Sequence, residues 1–151
     1  KRQVLMQSDG SPWRPLVHIQ DIIGAALACL EAPREAIHGE AFNVGKVGEN
    51  YQIRQVAEMV RDVVPNCELT FAAGASADTR NYRVDFSKIA TQLPGFDARW
   101  TLRDGIEELY AAYTDAGLDE ADWTGPRYYR LPTVRALQEQ RRLDQALRWI
   151  T

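Results

Sequence analysis

The chain has 151 residues, 45% hydrophobic and 26% charged, with a net charge of -3, which is the size and composition of one soluble globular domain rather than a disordered or fibrous segment. The acidic balance argues against a nucleic-acid surface, since binding a phosphate backbone needs a basic footprint. No apolar run is long enough to cross a bilayer and the start, Lys-Arg-Gln-Val-Leu-Met, lacks the pattern of a signal peptide, so no membrane contact and a cytoplasmic location are expected. Cys29 and Cys67 have no Cys-x-x-Cys spacing, and His18 and His38 have no second His or Cys at ligand spacing, so free thiols and no metal site are expected.

Val4 to Met6 reads as a short strand, ended by a turn in Ser8-Asp9-Gly10-Ser11-Pro12. Leu16, Val17 and Ile19 around His18 read as a buried strand neighbouring the first, with Trp13 a core or rim aromatic at the join. Arg14 is a fixed cation, and Pro15 after it keeps the backbone extended. Asp21 is placed to cap a helix from Ile22 to Leu30, which is apolar nearly all round and so expected to be buried on most sides. Pro33 ends that helix, and Arg34 to Glu40 is a connection. Ala41 to Gly45 reads as a short strand. The glycines of Gly45-Lys46-Val47-Gly48 do not have the spacing of a dinucleotide-binding loop.

Ile53, Val56, Ala57, Val60, Val63 and Val64 recur at three- and four-residue steps, the clearest amphipathic helix in the chain. Pro65-Asn66 stops it, Glu68 to Ala72 reads as a strand, and Gly74 to Ala77 as a loop. Tyr82, Val84 and Phe86 alternate with polar residues as in a half-buried strand, which puts Arg80 and Tyr82 on one face and Asn81 and Arg83 on the other. Arg83 is expected to be solvated. Asp85 or Ser87 caps a short helix from Lys88 to Leu93. Thr101 caps another through Ile106, Leu109, Tyr110 and Tyr113, with Asp104 near its positive end and Gly105 implying close packing. Beyond Ala116 the spacing gives an acidic loop, Asp119 to Pro126, then two short helices, one carrying Val134 and Leu137 and one carrying Leu143, Leu147 and Ile150. The arginines at 127, 130, 135, 141 and 142 have acidic neighbours and read as a solvated face.

Four segments are similar to one family. Arg14-Pro15-Leu16-Val17-His18-Ile19-Gln20-Asp21, Phe42-Asn43-Val44-Gly45, Asp78-Thr79-Arg80-Asn81-Tyr82 and the link from Leu93 to Leu102 resemble the NAD-dependent nucleotide-sugar epimerases and dehydratases, the extended short-chain dehydrogenase/reductase family. The link departs from the family pattern, with Pro94 inserted before the glycine and Ala98 where proline is usual. The resemblance implies an α/β fold, the C-terminal, substrate-binding portion of a Rossmann-like enzyme, with short strands, several packed helices and no N-terminal Gly-rich cofactor half. Residues 1–115 are then the substrate-binding portion and 116–151 a helical extension of the same domain.

It implies further that Arg14 contacts the diphosphate of a nucleotide sugar and that Arg80 contacts it from the opposite side, with Asp78 and Tyr82 in the same binding segment. Two guanidinium groups suit this task, because each can donate two hydrogen bonds to phosphate oxygens. The plainer alternatives are a solvated Arg14 and an Arg80 paired with Asp78 or Asp85. NAD is expected to be bound by a missing N-terminal half, and the full-length enzyme to be a homodimer. None of the six tyrosines is followed by Lys four residues on, so the Tyr-x-x-x-Lys pair of the family is absent, no catalytic residue is expected here, and the chain alone is expected to be inactive. The rival expectation is a non-catalytic module that binds a nucleotide sugar or docks onto a partner.

Overall fold

The computed structural model describes residues 2–76, 80–125 and 128–150. They fall into two units, Arg2–Tyr110 and Ala111–Thr151. In the first, β1 (Gln3–Ser8) runs into a turn where the Asp9 carboxylate accepts from the Ser11 N–H at 2.9 Å. Gly10 follows at φ +78, where a Cβ would come within 2.7 Å of the Arg54 Cβ, so only glycine fits. β2 is Trp13–Pro15.

The expected strand from Leu16 to Ile19 does not form. Leu16 and Val17 are irregular, and α1 begins at Ile19 and ends at Glu31. Its N-cap is His18, not Asp21: His18 has φ -78 and ψ 145, and its Nδ1 accepts from the Gln20 N–H. An imidazole nitrogen can serve an orphan helix N–H as a carboxylate does, which frees Asp21 for another task. Burial on most sides also fails. Ala25 and Ala28 are buried, but Ile19, Ile22, Ile23, Leu27 and Leu30 are 41–84% exposed. Apolar content makes a helix fit to be buried, and only a neighbour on that side buries it.

α2 (Arg34–Ile37) is a single turn. Residues 41–45, expected as a strand, have no ladder partner among the described residues. Phe42 and Val44 nevertheless pack on the core, and a Cβ at Gly45 would lie 2.6 Å from the Phe86 ring. β3 (Asn50–Gln52) pairs antiparallel with β2, Arg14 opposite Tyr51. α3 (Ile53–Val63) opens with a capping box between Gln52 and Gln55. β4 (Glu68–Ser76) runs on through the stretch expected as a loop and pairs parallel with β1, Val4 opposite Leu69. β1 therefore neighbours β4 rather than the chain that follows it. Parallel pairing needs a crossover, and α3 packs against both strands.

α4 (Ser87–Gln92) and α5 (Leu102–Asp115) complete the unit, whose core is Ala25, Ala28, Phe86, Ile89 and Leu93. At the start of α5 the Thr101 N–H donates to the Asp104 carboxylate at 2.9 Å, and the Asp104 N–H donates to the Thr101 hydroxyl at 3.3 Å. The Thr101 hydroxyl, then its backbone N–H, hold the Asp104 carboxyl below its ordinary value of 3.8. A carboxyl depressed on folding gives stability that is complete above that value and is lost as pH falls through the lower folded pKa. Thr101→Ala should cost about 1 kcal/mol in denaturant unfolding. The acid loss of helix below about pH 4, read by circular dichroism, should be blunted in Asp104→Asn.

In the second unit α6 (Glu120–Thr124) is capped by Asp119, whose carboxylate accepts from the Asp122 N–H. Part of the expected acidic loop is thus helical. α7 (Arg130–Glu139) matches the first expected tail helix. The second is instead a tight return. Leu143 bridges antiparallel to Trp149, Leu147 has φ +61, and the Asp144 carboxylate accepts from the Arg148 N–H at 2.9 Å. An aspartate that bonds its own backbone favours a turn over a helix.

Candidate functional site

The β2–β3 ribbon carries Arg14, and the stretch 80–84 is tied to both of its strands by side chains. This stretch was expected to be a half-buried strand, but it forms no ladder, and Tyr82 is 54% exposed. Its backbone bonds go to carboxamides and a guanidinium. The Val84 N–H donates to Asn50 Oδ1 at 2.9 Å, and Asn50 Nδ2 donates to the Val84 carbonyl at 2.9 Å. Asn81 Oδ1 accepts from the Trp13 N–H at 3.0 Å. Arg14 Nη1 donates to the Trp13 carbonyl at 2.7 Å and to the Arg80 carbonyl.

The expected alternation survives as a choice of partner. The Arg80 carbonyl and the Tyr82 ring meet Arg14, whose Cζ is 5.5 Å from the ring centroid. Asn81 and Arg83 meet Trp13, and the Arg83 Cζ lies 3.5 Å over the indole. Arg83 is exposed, as expected, and it also stacks on an aromatic face, a contact that a planar, weakly hydrated cation favours. The Arg14 side chain thus meets the Arg80 backbone carbonyl and the Tyr82 ring from 66 or more positions away in the chain. Asp78 lies outside the described residues. The cluster offers permanent positive charge, forked N–H donors and an aromatic face. A cavity of about 200 Å³ is lined by Pro15, which follows Arg14, by Val84, two residues on from Tyr82, and by Val17, Asn43, Val44 and Phe86 among others.

Two buried carboxylates hold the neighbouring link. Asp21, 5% exposed, accepts from the Arg99 and Trp100 N–H groups at 3.0 and 3.2 Å. Glu49, 8% exposed, accepts from the Leu102 N–H at 2.7 Å and from the Tyr51 hydroxyl at 3.0 Å. Burial, and then the Glu49 carboxylate it donates to, push the Tyr51 phenol above its ordinary value of 10.0. His18 stacks on Trp100 with ring centroids 3.9 Å apart, and its Nε2 meets Glu108 Oε2 at 2.6 Å. With Nδ1 accepting from Gln20, the partners assign the imidazole proton to Nε2. Gly105 is small for this reason, since a Cβ there would be 3.3 Å from the His18 ring. The His-x-x-Asp pattern thus fastens the start of α1 to the 99–102 link. Glu49 and Asn50 carry no sequence signal of their roles, because a polar pair after a glycine loop reads as solvated.

Residues 1–45 match the model of the NAD dependent epimerase/dehydratase family. The chain is 30% identical over 112 residues to GDP-L-fucose synthase 1 of Arabidopsis thaliana, an alignment covering 74% of this chain and 33% of that protein. Among solved structures it resembles a UDP-glucuronic acid 4-epimerase from Bacillus cereus, in complex with UDP-glucuronic acid and NAD, with TM-score 0.61 and 25% identity over 76% of this chain and 36% of that one. A GDP-6-OMe-4-keto-L-xylo-heptose reductase from C. jejuni matches with TM-score 0.61 and 25% identity over 76% of this chain and 34% of that one. The chain spans about a third of the length of the curated relatives it matches. The matched segment includes the arginine-to-aspartate run that leads from β2 into α1, and the α/β architecture is that of the solved Rossmann-like neighbours: the chain is similar, over that run and in fold, to the NAD-dependent epimerase/dehydratase family.

Proposed function

We propose that this chain is the nucleotide-sugar-binding part of an NAD-dependent epimerase or dehydratase, that Arg14 and Arg80 hold the diphosphate, and that Asp78 and Tyr82 belong to the same substrate-binding segment. The observation that carries this reading is the Arg14 guanidinium set between the Arg80 carbonyl and the Tyr82 ring. A diphosphate needs about two guanidinium groups, each donating in fork geometry, and arginine keeps its charge at any physiological pH. The cavity lined by Pro15 and Val84 gives a sugar room beside the diphosphate. The binding of UDP-glucuronic acid by the Bacillus cereus neighbour lends support by family likeness.

The described residues do not fit a dinucleotide cradle. β1 is followed by a turn and another strand, and the N-terminus of α1 is capped by the His18 imidazole rather than presenting glycine N–H groups open to a pyrophosphate. In the longer enzyme this reading implies, NAD would be held by residues outside this chain and would supply the hydride chemistry at the sugar. What the residues of this chain contribute is binding and orientation, which is catalysis by positioning.

Calorimetric titration of the chain with UDP-glucuronic acid, GDP-L-fucose and NAD tests this. Heat is expected with a nucleotide sugar and none with NAD. Binding of NAD alone contradicts the assignment.

A further inference from the structure

The arginine cluster depends on a stretch of backbone that belongs to no sheet. Residues 80–84 lie beside the β2–β3 ribbon, tied to it by side chains, yet ladder bonds do not fix their register. What fixes it is the Asn50 side chain. Its carboxamide accepts from the Val84 N–H and donates to the Val84 carbonyl, both at 2.9 Å, the pair of bonds that a neighbouring strand would exchange with that residue. Asn50 stands opposite Pro15 near the end of the ribbon, where one further backbone bond runs from the Leu16 N–H to the Glu49 carbonyl at 3.0 Å. Its amide side chain carries the pairing sideways to Val84. Trp13 adds a second tie through Asn81. Tyr82 and the Arg80 carbonyl, which meet Arg14, lie two and four residues from the Val84 anchor.

We infer that Asn50 is a positioning residue, whose carboxamide replaces a strand partner for Val84 and so sets where Arg80 and Tyr82 stand relative to Arg14. The inference rests on the reading of that cluster as a diphosphate site. The amide is required because a group at this position must both donate and accept. Aspartate has nearly the same shape but at neutral pH only accepts, so its second oxygen faces the Val84 carbonyl without a proton between them. Protonated, the same side chain recovers a donor and an acceptor.

The test is Asn50→Asp in the full chain, titrated calorimetrically with UDP-glucuronic acid at pH 8 and pH 5 beside the parent at each pH. Its affinity should fall about tenfold at pH 8, because a small misplacement of a binding group has a large effect. At pH 5 the gap to the parent should narrow as the introduced carboxyl, held against a carbonyl, takes up a proton. Thr101→Ala, which loosens the same unit at the α5 cap, should bind as the parent does. The Val84 amide should exchange slowly with solvent in the parent and fast in Asn50→Ala, which removes its acceptor, a readout that needs no ligand. Equal exchange in the two proteins, or a gap unchanged by pH, overturns the inference. If Asn50→Asp keeps full affinity while Arg14→Ala loses it, the inference falls and the site stands. If both keep it, the site reading falls as well.

Discussion

Asp21→Ala is expected to lower unfolding stability by about 3 kcal/mol, since truncation strands two backbone N–H groups that the carboxylate now satisfies in a buried place. For a chain of this size that is a fall of roughly 10 °C in melting temperature. The loss spreads, because the Arg99–Trp100 backbone carries the indole that stacks on His18, and His18 caps α1. Asp21→Asn keeps one acceptor and turns an NH₂ toward the other N–H, so it should lose about half as much. Thermal melts followed by circular dichroism measure both. A melting temperature within 2 °C of the parent for Asp21→Ala removes the carboxylate from the centre of this joint.

That aspartate shows which part of the fold the sequence exposes. Periodicity reveals α3 and the core-facing alanines of α1, because repetition at three and four residues is a property of the element itself. It does not reveal that Asp21 bonds residues 78 and 79 positions away, since a carboxylate in a first helical turn looks the same whether it caps its own helix or another segment. Strands suffer most. Leu16 to Ile19 have the apolar run of a strand and 80–86 its alternation, yet a strand exists only where a neighbour offers its edge, and Asn50 and Glu49 bond 84 and 16 instead. The tail return is another local competition, decided by the Asp144 side chain. The site was legible differently. Arg14, Arg80 and Tyr82 were marked by family resemblance, whereas the Arg83–Trp13 stack depends on a tertiary contact that no spacing encodes.

Arg14 carries the second large effect. Arg14→Ala should weaken binding of UDP-glucuronic acid by about 30- to 100-fold, the range expected when charge-assisted hydrogen bonds worth roughly 2–3 kcal/mol are removed. Arg14→Lys separates charge from shape. It restores the cation but not the planar fork, and a single ammonium cannot both donate to the Arg80 carbonyl as Nη1 does and face a phosphate in two-point geometry. About a tenfold loss is expected for it. The parent should bind less tightly as salt is raised from 50 to 500 mM, since screening shortens to a few ångströms over about that range, and Arg14→Ala should show a shallower dependence. Because Arg14 also ties 80–84 to β2, a melt of each variant is needed beside the titration. A parent-like melt with lost affinity assigns the guanidinium to the ligand, and dissociation constants within threefold of the parent for both substitutions remove it.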